Sequence, residues 1–311
     1  MRITMRRSLA ALGSVTLAIT LAGPVQASTG EPNTLSTIES ISPWVLEDVA
    51  EQSIQSAGRM TLKNPVIQGR EVSGLSVVLP EKSIEGVKIT GAAVPKVTIG
   101  LPQGAGSSTQ ERAGVVSFDN GNDSKTVPVI KDDGSVQIAT VIEGPGAPTK
   151  YKYPIAVPAG AKLVATDDGG AKIIDSGGDP LGVFLPPWAI DADGKDVKTH
   201  YEIEDSALIQ VVRHHEGSSY PIIADPTYVT TTYWYSRRNV EDMWKALKAT
   251  DSFCKVISLL PIPYPWGVGC GWNSNLGSKV TQAHYEMKRI RAIYNNCGAT
   301  YCNYYEYRVL N

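Results

Sequence analysis

The sequence predicts a mainly β chain: an antiparallel, β-sandwich-like N-terminal part followed by a small disulfide-stapled α+β C-terminal domain. Three observations carry this expectation. Short Val-, Ile- and Tyr-rich runs recur from about Thr61 to Asp225 between clusters of Gly, Pro, Asp and Asn, the pattern of an all-β domain. The stretch Tyr220-Pro221-Ile222-Ile223-Ala224-Asp225-Pro226 closes that pattern, because its two prolines fix φ and push the residues before them into extended backbone. Beyond it lie all four cysteines, ten of the fourteen tyrosines and four of the six tryptophans. The expected divisions are a signal peptide over 1–27, a polar leader with an amphipathic helix over 28–60, an all-β domain over 61–226 and a basic, cysteine-containing domain over 227–311.

Charge separates the same parts. The chain of 311 residues has a formal net charge of only -2, but residues 28–226 hold 16 basic against 26 acidic side chains and residues 227–311 hold ten against five. Such asymmetry favours contact between the acidic and basic parts or an anionic partner for the basic one. Arg2, Arg6 and Arg7, the apolar run Leu9–Leu21 and the small residues of Val25-Gln26-Ala27 read as a secretory signal cleaved after Ala27. No later run offers the ~20 apolar residues of a membrane-spanning helix; Pro261, Pro263 and Pro265 interrupt the closest one. A secreted protein without a transmembrane segment is expected, and in that compartment four cysteines imply two disulfides.

In chain order, residues 28–41 read as polar and loose. Ser42-Pro43 resembles an N-cap with proline at the first helical position, and Trp44, Val45, Val49 and Ile54 predict a helix that ends near Gly58. The expected strands are Leu75–Leu79, Val87–Thr90, Val97–Ile99, Gly114–Phe118, Thr126–Ile130, Val136–Ile142, Lys150–Ala156, Lys162–Ala165, Ala171–Asp175, Gly182–Leu185, Lys198–Ile203, Ala207–Arg213 and the run before Asp225. The turns between them are explicit: Asn120-Gly121, Asp133-Gly134, Asp168-Gly169 and Asp193-Gly194. Residues 100–114 read as a flexible loop.

Beyond Pro226, Thr230–Tyr235 predicts a strand. Asn239 as N-cap with Val240, Met243, Trp244 and Leu247 predicts a first helix, and Asp251 to about Leu260 a second. Val280, Ala283, Met287, Ile290 and Tyr294 predict a third, from about Asn275 to a C-cap at Gly298. Tyr301–Leu310 is strand-like and is expected beside the strand that opens the domain. Cys254, Cys270, Cys297 and Cys302 allow three pairings; Cys254–Cys270 with Cys297–Cys302 is preferred, and spacing leaves the others open.

The span from Gly114 to Pro226 resembles a domain of uncharacterised secreted actinobacterial proteins. The residues that carry the likeness are Ala147-Pro148-Thr149-Lys150-Tyr151-Lys152-Tyr153, Val157-Pro158-Ala159-Gly160, Asp168-Gly169-Gly170, Pro187-Trp188-Ala189-Ile190-Asp191-Ala192-Asp193-Gly194, Thr199-His200-Tyr201-Glu202, Gln210-Val211-Val212 and the run from Tyr220 to Pro226. The resemblance implies a shared β-domain followed by a C-terminal module that varies. It implies no activity, ligand or catalytic residue.

Candidate chemistry is sparse. His214-His215-Glu216 invites a metal, but adjacent residues of a strand point to opposite faces, so a polar strand end is favoured. Asp191-Ala192-Asp193-Gly194-Lys195-Asp196 has its glycine too early for a calcium loop and reads as a hairpin turn. His284 falls beside an apolar helical stripe with no partner placed by the sequence. No catalytic residue, metal or cofactor is therefore assigned. Arg237, Arg238, Lys288, Arg289 and Arg291, set among aromatics, are the candidates for binding an anionic cell surface, membrane or envelope polymer; nucleic acid is disfavoured because the charge density is moderate.

The expected function is thus a secreted, non-enzymatic two-module protein whose cationic, aromatic C-terminal module acts by binding, in a bacteriocin-like or envelope-directed role. The alternatives are a secreted hydrolase or metal-dependent enzyme with its site in the β-domain, around His200 and His214, and a structural cell-envelope protein.

Overall fold

The computed structural model describes residues 33–67, 70–71, 75–92, 94–102, 106–235, 237–250, 274–295 and 304–310. Among them, two antiparallel sheets of eight and ten strands dominate. They share a core in which Met60, Leu62, Val77 and Leu79 of the first sheet cluster with Val116, Phe118, Ile130 and Ile138 of the second. Val87–Thr90, Val97–Ile99, Val136–Ile142, Lys150–Ala156 and Lys162–Ala165 have the expected bounds. Gly121, Gly134, Gly169 and Gly194 all take positive φ, which is why an Asp or Asn before glycine marked those turns.

The strand Val136–Ile142 organises the ten-stranded sheet. One edge pairs with Ser124–Ile130. The other is shared by two successive strands: Ile222–Asp225 lies along Thr140–Ile142, and Thr227–Thr230 lies along Val136–Gln137. All seven residues of the strand are buried, so it is covered on both faces. One face meets the sandwich core. On the other, helix α1 (Thr34–Ile41) and a 3-10 turn (Pro43–Leu46) place Ile38 and Val45 against Val127, Val129, Ala139, Val141 and Ile223.

That N-terminal cap corrects two expectations. Part of the leader read as loose is helical, and the helix expected from Pro43 to Gly58 is a single 3-10 turn. Lys131 Nζ donates to the carbonyls of Trp44, Val45 and Glu47 at 3.1, 2.9 and 2.7 Å. Those carbonyls are satisfied without another helical turn. Asp48 then takes φ 50, Val49 bridges to Lys131, and Ile54–Ser56 becomes a strand against Arg59–Lys63. Residues 100–114, read as a loop, include the edge strand Thr109–Arg112. Trp188–Ile190 is a further strand absent from the sequence reading, paired with Ile223–Asp225.

Thr227–Thr230 still belongs to the ten-stranded sheet, paired also with Gly182–Phe184. The chain changes sheet at Thr231, so the single strand expected over Thr230–Tyr235 is two strands. The second, Thr232–Tyr235, opens a three-stranded sheet with Ile290–Asn295 at its centre and Tyr304–Val309 at its far edge. The last strand therefore pairs with the central strand and not with the opening one. Helices α2 (Arg237–Thr250) and α3 (Ser274–Tyr285) cover one face, where Val240, Met243, Leu276, Val280 and Ala283 pack with Tyr235, Ile290, Ala292 and Tyr307.

Two helix boundaries also differ. Asn239 lies inside α2 and does not cap it. The helix expected to run through Tyr294 ends at Tyr285. Met287 takes φ 54, Lys288 N donates to Ala283 O at 2.9 Å and Met287 N to His284 O at 3.1 Å. This is a Schellman cap with methionine where glycine is usual. Ile290-Arg291-Ala292-Ile293-Tyr294 is then free to pair as a strand. Its apolar residues satisfy either period over so short a run, and the cap decides between them. The four cysteines, the helix expected over 251–260 and the signal segment over 1–27 lie outside the described residues. No described helix is long and apolar enough to cross a membrane.

Candidate functional site

The basic candidates fall into two groups. Tyr235 pairs with Ile290, so the start of α2 and the residues 287–289 meet at one end of the three-stranded sheet. Arg237, Arg238 and Arg289 are exposed there, while Lys288 is held by Glu286 at 3.0 Å. Arg291 is not part of this surface. Its side chain is only 11% exposed, and Nη1 meets Asp175 at 2.8 Å and Asp179 at 3.4 Å. Arg308 completes the contact by donating to Asp179. Asp175 and Asp179 flank the turn before the strand Pro180–Phe184, so these ion pairs join the three-stranded sheet to the acidic β part. Burial alone would raise the Asp175 carboxyl, but hydrogen bonds from Arg291 and from the Asp179 and Gly177 amides bring it below its ordinary value.

The histidines are engaged separately. His214 is buried, with Nε2 facing the Pro148 carbonyl at 3.0 Å and Nδ1 facing the Tyr220 hydroxyl at 2.9 Å. It braces the Tyr220–Pro221 segment against the Pro148 loop. His215 Nδ1 accepts from Gly217 N, and His200 lies 3.5 Å from Glu202. Nothing here brings His200 and His214 together. Among the described residues no three His, Cys, Asp or Glu side chains converge to hold a metal. Asp191 Oδ1 accepts from the amides of Asp193 and Lys195, closing the hairpin turn that the sequence favoured over a calcium loop.

Two clusters went unread in the sequence. On the helices, the His284 ring stacks on Trp244 at 3.8 Å with planes 7° apart, and Nδ1 meets Glu241 Oε1 at 2.8 Å. The partner acid comes from the other helix, 43 residues away, so helical spacing along one segment could not place it. The second cluster surrounds Asp225, which is 1% exposed. Gln137 Nε2 donates to Asp225 Oδ2 at 3.0 Å, and the Thr227 hydroxyl donates to the same oxygen. Burial pushes this carboxyl up to about 7, against partial compensation from those two donors and the Trp188 amide. Ile223 two residues before Asp225 and Ala139 two after Gln137 face the N-terminal cap, so the cluster sits on that face of the sheet. The signal for it was a glutamine within the apolar run Val136–Ile142, a polar side chain where only a partner makes burial tolerable.

Comparison with known protein families, with curated proteins and with solved structures finds no match.

Proposed function

We propose that this is an exported protein whose acidic β part carries and restrains a basic C-terminal part, and that the latter acts by binding an anionic surface of the cell envelope. One observation carries the reading: Arg291 and Arg308 are neutralised against Asp175 and Asp179, while Arg237, Arg238 and Arg289 stay exposed at one end of the three-stranded sheet. The placement of the exposed pair is adverse to the fold. Helix α2 begins with two arginines and has no acid in its first turn, so positive charge meets the positive end of the helix dipole. Each such contact costs about 0.3–1 kcal/mol. A charge placed against stability is best explained by use outside the fold. The signal-like segment over 1–27 and the likeness of Gly114–Pro226 to β-domains of secreted actinobacterial proteins support export.

The test is cosedimentation of the full-length protein with phosphatidylglycerol vesicles, phosphatidylcholine vesicles and an isolated anionic wall polymer. Binding to an anionic surface that weakens with added salt, and is lost in the Arg237→Glu/Arg238→Glu double variant, is the expected result. A wild-type protein that binds none of them at low salt overturns the proposal. Growth inhibition of envelope-bearing target cells by the wild type, absent from the variant, would mark the bacteriocin-like form.

A further inference from the structure

We propose that Gln137 and Thr227 are joined by an internal ester bond, formed by the folded chain itself with Asp225 as the proton carrier. The backbone places the two reactants. Gln137 and Thr227 are direct partners across antiparallel strands. Ile138 N donates to Pro226 O at 2.9 Å, so the neighbouring pair is the hydrogen-bonded one. Gln137 and Thr227 are then the non-hydrogen-bonded pair, the geometry in which Cα atoms lie about 4.5 Å apart and side chains are closest.

The side chains complete the arrangement. The Thr227 hydroxyl and the Gln137 Nε2 both bond to Asp225 Oδ2, so the nucleophilic oxygen and the departing nitrogen share one carboxyl oxygen. Gln137 is 5% and Asp225 1% exposed, which keeps water from competing for the Gln137 carbonyl carbon. Fixed neighbours of this kind react as though at very high local concentration. A carboxyl balanced near neutrality can both take up and give back a proton, as the reaction requires.

The step balances without any further reactant. The Thr227 Oγ1 attacks Gln137 Cδ while its proton passes to Asp225 Oδ2. The tetrahedral centre collapses, the Cδ–Nε2 bond breaks, and the proton passes from Asp225 to Nε2. Ammonia leaves past Thr227, which is only partly buried. The product is an Oγ1–Cδ ester, and Asp225 returns to its starting state. The bond would tie the central strand Val136–Ile142 to Thr227–Thr230, the last strand before the C-terminal part, within a β part that has no cysteine for a disulfide.

The experiment is the mass of the purified full-length protein, denatured and fully reduced so that disulfides contribute nothing. The expected mass is one ammonia below that calculated for the chain from the first residue the protein is found to carry. Trypsin should then give one linked species made of peptides 132–150 and 214–237, with fragment ions placing the link between Gln137 and Thr227. Thr227→Ser should keep the link; Thr227→Val and Asp225→Asn should lose it and regain the full mass. A wild-type protein of full mass with the two peptides separate overturns the proposal, and that outcome depends on no variant folding. An ammonia deficit that persists in Thr227→Val, as ring closure at Asn120-Gly121 would produce, overturns it equally.

Discussion

Asp225 and Asp175 are shielded carboxyls that respond to pH with opposite sign. Asp225 is moved from an ordinary 3.8 up to about 7 because its burial penalises the charge. The native state therefore holds a proton that the unfolded state has released. Stability from this group is fullest below 3.8 and declines as pH rises toward about 7. Since a tenfold change in proton affinity is worth about 1.4 kcal/mol, the decline is a few kcal/mol at most. Denaturant unfolding followed across that window should show it, and Asp225→Asn should flatten it. Asp175 is lowered on balance, so its contribution is present above its unfolded value of 3.8 and is lost as pH falls through the still lower folded value. Acid should thus loosen the Arg291 contact while relieving Asp225. At Met287 the effect is conformational. A non-glycine residue holds φ 54 and is 66% exposed, so Met287→Gly removes strain without opening a core. Thermal or chemical unfolding should show a gain of about 0.5–1 kcal/mol.

Among the elements, the strand Thr227–Thr230 depends on one glycine. Gly182 faces Thr230 in the pairing, and a Cβ there would lie 2.1 Å from the Tyr228 hydroxyl oxygen. Tyr228 is 1% exposed and packs on Phe184 at 5.1 Å between ring centroids, so it has no room to retreat. Gly182→Ala should destabilise the protein by about 1–3 kcal/mol, read from the denaturation midpoint. The contact between Asp175, Asp179, Arg291 and Arg308 is tested by Arg291→Ala. That change leaves Asp175 without its cation in a shielded place, with an expected loss of about 2 kcal/mol or more. Asp175→Asn in the same background should cost less than it does alone, because the pair is already broken; a double-mutant cycle measures the coupling.

For the whole molecule, the charge split and the fold point the same way. The β part carries the acids that receive two arginines, and Arg237 and Arg238 stand at a helix start where they weaken the helix. The Arg237→Glu/Arg238→Glu variant should therefore show two effects of opposite sign: a higher melting temperature, since acids suit a helix N-terminus, and weaker binding to anionic vesicles. A variant that loses both would indicate a folding role for these arginines. The expected ester acts at this scale too, because it joins the centre of the large sheet to the strand that leads into the C-terminal part.

Local patterning was enough to read most of the β part. Runs of β-branched, apolar and aromatic residues between Gly-, Pro- and Asp-rich turns marked the bounds of strands such as Val136–Ile142 and Lys150–Ala156, because side-chain pattern and turn chemistry act over a few residues. Composition likewise separated an acidic part from a basic, aromatic one. Only the tertiary structure decided what depends on distant partners. Lys131 ended the helix expected after Pro43, and a methionine Schellman cap turned Ile290–Asn295 from helix to strand. Asp225, Gln137 and Thr227 met at one oxygen because strand register brought together residues up to 90 positions apart. Glu241 reached His284 across two helices. A sequence states the period and the cap of each segment, whereas the surroundings of a buried polar group are set by whichever segments pack around it.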